Sequence, residues 1–215
     1  MTNQTEVAET TTNTIKGSQR FADVDMRPIC ENMSNFEFRI MFARAQAIAV
    51  NRLEARVAFL TEWSSHEKGR VFKWFGRDDE QTRRRLLTGL TKVLNVVRSF
   101  SEHNVVRTGS AADLATGCTP HPLGTGQEAA HVCAPDTATH TFSISAKFCT
   151  MRPWSAYADS QVSVIIHEAS HFLDTMATTD EQYYITPFLS AWGRSHPDLA
   201  INNADSIAGY VVDGD

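Results

Sequence analysis

From Asn35 onward, apolar residues recur mostly every three, four or seven positions. Phe36, Ile40, Met41, Ala47, Ile48, Leu53, Val57, Leu60 and Trp63 describe one long amphipathic helix. A turn-like stretch is expected over residues 68–77. Asp78 or Asp79 can then cap a second helix, whose apolar face holds Leu86, Leu87, Leu90, Val93, Leu94, Val97 and Phe100. The arginines at 83–85 read as a solvated face of that helix. Helical period vanishes over residues 104–150, where Gly, Pro and Thr become common. Within it, Thr141–Phe148 alternates apolar and polar like a half-buried strand. Val162, Ile165, Ile166, Ala169, Phe172, Leu173 and Met176 restore the period and mark a third helix, with Asp159 as its N-cap. Residues 1–20 are polar, rich in threonine and without period, so residues 1–25 are expected to be disordered. Residues 26–215 then form one α+β domain, mostly helical, with a small irregular β region before the third helix.

Composition narrows the class. The 215 residues are 42% hydrophobic and 21% charged, as in ordinary globular proteins. No apolar run approaches the ~18–20 residues of a membrane span. With 20 basic and 25 acidic side chains the net charge is −5, which argues against a nucleic-acid partner. From Asp159 to the C-terminus, seven Asp and two Glu stand against Arg194 alone. That acidity is either a solvated face or an electronegative site. Four cysteines without a CxxC allow three full pairings, and free thiols stay open. The first residues lack the basic and apolar stretches of a secretory leader, so the export route is open.

Residues 167–171 read His-Glu-Ala-Ser-His. Histidines four apart share one helix face, where both imidazoles can reach one Zn²⁺ at ~2.0–2.1 Å. Glu168 falls where it can take the proton of a water that the metal has acidified. A catalytic zinc needs a third protein ligand and an open position. The pattern HExxHxxGxxH is excluded, because Asp174 and Ala177 occupy its Gly and His places. A downstream glutamate is nearly excluded, since only Glu181 follows Glu168. Asp174, Asp180, His196, Asp198 and Asp205 remain. Asp174 is too near His171 to approach from another direction, which favours an aspartate beyond the helix end.

HEASHF followed by ATTDEQYY at 177–184 resembles the aspzincin, or deuterolysin-like, zinc endopeptidases, whose signature is HExxH followed by GTxDxxYG. WFGR at 74–77, DSQ at 159–161 and HPDLAINNADS at 196–206 extend the likeness over residues 30–210. The resemblance implies a zincin-like domain with one zinc per chain, held by His167, His171 and Asp180. It implies Glu168 as the general base and Tyr183 as a donor to the oxyanion of the tetrahedral intermediate. In lysine-specific relatives the aspartate matching Asp205 forms an acidic substrate pocket with a glutamate three residues on. Here Ala208 takes the second place, so the expected polypeptide substrate is basic or broad. The bland role for Asp205 is to support a ligand or cap a helix.

Ala177 and Tyr184 replace the two signature glycines. If either place needs a left-handed backbone, its side chain costs ~1 kcal/mol or more. By likeness to secreted members, disulfides Cys30–Cys118 and Cys133–Cys149 and an extracellular setting are expected. The strand at 141–148 is the expected sheet edge for an extended substrate. The rival expectation is a zinc-binding secreted effector or toxin, catalytically degenerate or restricted to one target.

Overall fold

The computed structural model describes residues 2–8, 20–25, 27–118 and 128–214. Strands β1 (Thr2–Ala8) and β2 (Arg20–Asp25) pair antiparallel, with Thr2 opposite Asp25. At these two segments the chain departs from the disorder expected over 1–25; the other residues of that stretch lie outside the described ones. A polar sequence cannot build a core, but main-chain pairing requires none, and the threonines and valines of these segments suit extended backbone.

Helix α1 (Asn35–Glu62) opens on a capping box. Ser34 Oγ accepts from Glu37 N, and the Glu37 carboxylate accepts from Ser34 N. Its buried stripe is Phe38, Phe42, Ala45, Ala49, Leu53, Arg56 and Leu60, in strides of three and four. The expected face is therefore partly wrong. Phe36 is 71% exposed, and Ile40 and Ala47 also face outward, because this helix carries apolar residues on two sides and spacing alone does not choose between them.

The turn expected at 68–77 is instead helix α2 (Ser65–Phe75), capped by Ser64 and closed by Gly76. Its buried face is Glu67, Arg70, Val71, Trp74 and Phe75; charges in the stripe hid the helical period. Gly76 has φ +65, and a Cβ there would stand 2.5 Å from the Arg194 carbonyl oxygen, so only glycine fits. Helix α3 (Glu80–Ser99) is capped by Asp79, as expected. Arg83 is no bystander: its guanidinium donates to the Leu60 and Thr61 carbonyls at the end of α1.

Strand β3 (Val105–Arg107), helix α4 (Ala111–Leu114) and strands β4 (Ala130–Val132) and β5 (Phe142–Ile144) follow. The sheet order is β3-β5-β4, with β5 parallel to β3 and antiparallel to β4. The strand expected at the edge is therefore the central one, and β4 is the edge beside the cleft. Phe142 of β5 meets Phe42 of α1, Phe100 and Phe148 at ring separations of 5.9, 5.1 and 6.2 Å, welding sheet to helices.

The disulfides also differ from expectation: they join Cys30 to Cys149 and Cys118 to Cys133, with Cα separations of 5.8 and 5.6 Å. The short 3₁₀ turn Phe148–Thr150 lies against α1, where Gln161 donates to both the Phe148 carbonyl and the Met41 sulfur. That puts Cys149 beside Cys30. Cys133 reaches the Thr116 carbonyl, next to Cys118. Folding thus chose a pairing that spacing could not.

Helix α5 (Gln161–His171) packs on α1, α3 and α8 (Ala204–Val212), while α6 (Pro187–Ser195) and the short α7 (Pro197–Ala200) close the domain. A buried charge network anchors α8. Glu67 accepts from Arg70 at 2.7 Å, from Arg56 at 3.3 Å and from the Tyr210 hydroxyl. Asp213 accepts from the Trp74 indole at 2.9 Å and from Lys73. The result is one α+β domain. Among the described residues no helix is long and apolar enough to cross a membrane.

Candidate metal centre

Local chemistry starts α5. Ser160 is its N-cap: Ser160 Oγ accepts from Ser163 N, and Ser163 Oγ accepts from Ser160 N. Asp159, the expected cap, instead accepts from Ile185 N at 2.8 Å, tying the helix start to a later loop. Val162, Ile165, Ile166 and Ala169 are fully buried, so the opposite face turns His167 and His171 into a cleft. The helix stops at His171. Phe172, Leu173 and Met176, expected on its face, lie beyond its end, and Leu173 is exposed. Thr175 stabilises the stop by donating to the Ala169 and Phe172 carbonyls.

The chain then doubles back. Thr179 bridges to Asn203, and the buried Asn203 Oδ1 accepts from Glu181 N at 2.9 Å and Gln182 N at 3.0 Å. These bonds bring Asp180 Oδ1 to 3.3 Å from His167 Nε2 and 3.5 Å from His171 Nε2. One ligand atom from each residue lies within 4.8 Å of the others. Both rings are held from behind: His167 Nδ1 lies 2.8 Å from Asp205 Oδ1, and His171 Nδ1 lies 2.9 Å from the Thr178 carbonyl. With Nδ1–H donating to those acceptors, each Nε2 faces Asp180 and is the atom a metal would take.

The electrostatics fit a cation. Burial opposes charge on His167, but Asp205, Asp180 and Glu168 outweigh it and raise that imidazole well above its ordinary pKa. Burial lowers His171. Burial also pushes Glu168 up to about 8, against the pull of His167. Asp180 stays below the usual carboxylate range although burial opposes this, because His167 bonds to it. Two imidazoles and a carboxylate, surrounded by excess acid, match the donor set of a catalytic zinc.

The other candidate ligands are engaged elsewhere. Asp174 pairs with His140 at 3.1 Å, Asp198 pairs with Arg77 at 2.8 Å, and His196 stacks on Trp192. Asp205 makes the bonds expected of the supporting role left open for it. It is buried, and its two oxygens accept from His167 and, at 2.7 Å, from Tyr184 N. It stands behind a histidine, with both oxygens engaged before any substrate arrives. Tyr183 is 62% exposed at the lip of a cleft of about 620 Å³. Ala177 and Tyr184 do have positive φ, +50 and +70, so both signature glycine places are left-handed here.

A family model described as lysine-specific metallo-endopeptidase matches residues 61–212, a span containing every residue of this centre. The chain belongs to the aspzincin family. This aspzincin is also similar to the solved zinc peptidase from Grifola frondosa, with a TM-score of 0.65 and 21% identity over 84% of this chain and 96% of that one. At that identity the likeness speaks for the fold. No curated protein matches.

Sequence reasoning missed several residues of the centre. Thr178 acts through a carbonyl, which leaves no side-chain signal. Asn203 had one: an Asn immediately before a helix, in the NNAD stretch. His131 of β4, Glu128 and Lys147 line the cleft but lie in segments without period.

Proposed function

We propose that this aspzincin is a zinc-dependent endopeptidase hydrolysing internal peptide bonds, with His167, His171 and Asp180 as the ligands of one zinc. The observation that carries this reading is the pair of rear hydrogen bonds, to Asp205 and the Thr178 carbonyl, that turn both Nε2 atoms toward Asp180. Zinc bound there supplies a Lewis acid for the scissile carbonyl and lowers the pKa of water. Glu168, buried beside His167 at 4.0 Å, takes the proton of the attacking water and delivers it to the leaving amine. Tyr183, at the lip, donates to the carbonyl oxygen as negative charge develops there. Edge strand β4, whose residues line the cleft, offers main-chain groups to an extended polypeptide.

Glu128, Asp159, Asp180 and Asp205 line the same cleft, which favours the approach of basic polypeptides at long range. Two disulfides fit an extracellular setting. A second reading, a zinc-binding effector or toxin without general activity, draws support from the strained Ala177 and Tyr184. Incubation of zinc-loaded protein with casein and with histone separates the two. Cleavage that a chelator abolishes is the expected result, and silence on both substrates favours the effector.

A further inference from the structure

Exposed aromatic rings gather at one place on this surface. Among the described residues, eight Phe, Tyr or Trp side chains are exposed. Four of them, Tyr157, Tyr183, Tyr184 and Phe188, lie within three residues of the hydrogen bond from Ile185 N to Asp159. That bond joins the loop before α5 to the loop before α6. The rings stand on fixed backbone: the Tyr157 and Ala158 N–H groups donate to Ser155 Oγ, Tyr184 N–H donates to Asp205, and Leu189 N–H donates to the Thr186 cap beside Phe188. Tyr157 is 75% exposed and Phe188 68%, while their neighbours Ala156 and Leu189 are buried, so the core holds neither ring. Tyr183 and Tyr184 line the metal cleft, which makes the aromatic surface continuous with it.

Tyr184 points to what the surface binds. It has φ +70 where the aspzincin signature carries glycine, and a left-handed tyrosine is strained. Its ring is 51% exposed, so packing offsets little of that strain. Backbone strain held at the edge of a cleft, under an exposed aromatic ring, marks a place where a ligand makes contact. We propose that Tyr157, Tyr184 and Phe188 form a platform for an apolar side chain of the polypeptide substrate, some residues away from the cut on one side. The Tyr183 and Tyr184 rings are 6.4 Å apart, about two residues of extended chain, which sets the nearest such position at about two from the cut. This rests on the endopeptidase reading above. It leaves the residue beside the cut free to be basic, because rigid rings add contact area farther along the chain at little cost in side-chain entropy.

The test uses zinc-loaded protein and peptides built on one lysine-containing core. Leu, Phe or Ser is placed in turn at each position about two to four residues from the cut, on either side. At one such position the wild type should cut the Leu or Phe peptide with a kcat/KM about tenfold above the Ser peptide, the scale of one apolar anchor, and the gain should lie in KM. Tyr157→Ser and Phe188→Ser should bring that ratio near one, whereas Tyr157→Phe and Phe188→Tyr should keep it. Tyr184→Gly should also abolish it without lowering the melting temperature, which a ring serving only the fold would not allow. A wild-type ratio near one at each position, or a ratio that both serine variants leave unmoved, would overturn the proposal. So would dimers in sedimentation that the serine variants dissolve, since the surface would then belong to a second copy. If the wild type cuts nothing, the endopeptidase reading fails on its own, and calorimetry with the same protein and peptides decides the platform. Tighter binding of the Leu or Phe peptides, lost in both serine variants, supports it; equal binding, or none, overturns it.

Discussion

Helix α5 and the segment that follows it, residues 172–186, both deliver groups to the cleft, but different forces hold them. In α5 the backbone satisfies itself, a Ser160–Ser163 box closes the start, and four fully buried apolar side chains choose the face. The separation of His167 and His171 follows from one helical turn. The later segment has no such internal order. Thr179, Glu181, Gln182, Tyr184 and Ile185 each donate a backbone N–H to a distant group, namely Asn202, Asn203, Asp205 or Asp159. Two of its residues sit in left-handed backbone. The candidate centre thus takes two imidazoles from local periodicity and its carboxylate from a loop whose shape belongs to its partners. The stretch at 202–205 matters to the centre as much as the histidine motif does.

The largest expected effect lies on the helix. Glu168→Gln should lower peptide hydrolysis about 10²–10⁴-fold, the range of a general base, while zinc content and thermal melting stay near wild type. Hydrolysis at the wild-type rate would remove Glu168 from the mechanism. Next comes the junction of the two regions. Asp205→Ala releases both His167 and Tyr184 N, and zinc affinity, measured by competition with a chelating dye, should fall about 10–100-fold. An unchanged affinity would mean that the loop and the histidine are uncoupled.

A third prediction turns on one chemical change with opposite signs. Ala177→Gly should stabilise the fold by about 1 kcal/mol, by relieving a left-handed alanine. Ala169→Gly, inside α5, should destabilise it by about 1 kcal/mol or more, because it loosens a helix and removes a buried methyl. Denaturant titration of both variants reads the signs, and the same sign at both sites would erase the contrast.

The smallest effect concerns Asp113, another acid that holds a loop by tertiary bonds. Burial pushes its pKa up, but the Gly109 N–H, the Ser143 hydroxyl and His131 outweigh this and hold it below its ordinary value. A depressed carboxylate stabilises the fold above its unfolded pKa and loses that contribution as pH falls through the folded one. The melting gap between wild type and Asp113→Asn should therefore be full at neutral pH and close below the ordinary Asp range of about 3.9. A gap that widens on acidification would contradict the shift.

Legibility in the sequence tracked the range of the forces involved. Helices α1 and α3 and the motif of α5 were readable, because helical period and caps are local. Helix α2 was not: Glu67 and Arg70 lie in its buried stripe, paired with each other, and Glu67 also binds Arg56 and Tyr210 on other helices. Asp180 was one of several open candidates by spacing, and the family likeness singled it out. Asp205 was left between reading a substrate cation and supporting a ligand, because nothing near it in sequence reveals the histidine 38 residues away to which it bonds.

The sequence by itself determined that a helix would present two histidines on one face with a glutamate between them, that the domain would be α+β, and that four cysteines were available for pairing. Tertiary structure decided which cysteines met, which strand became the sheet edge, and which acid faced the two histidines or stood behind one. Periodicity encodes contacts within one or two turns. Disulfide partners, sheet order and the Asp180–Asp205 arrangement depend on segments that meet only after the core has packed.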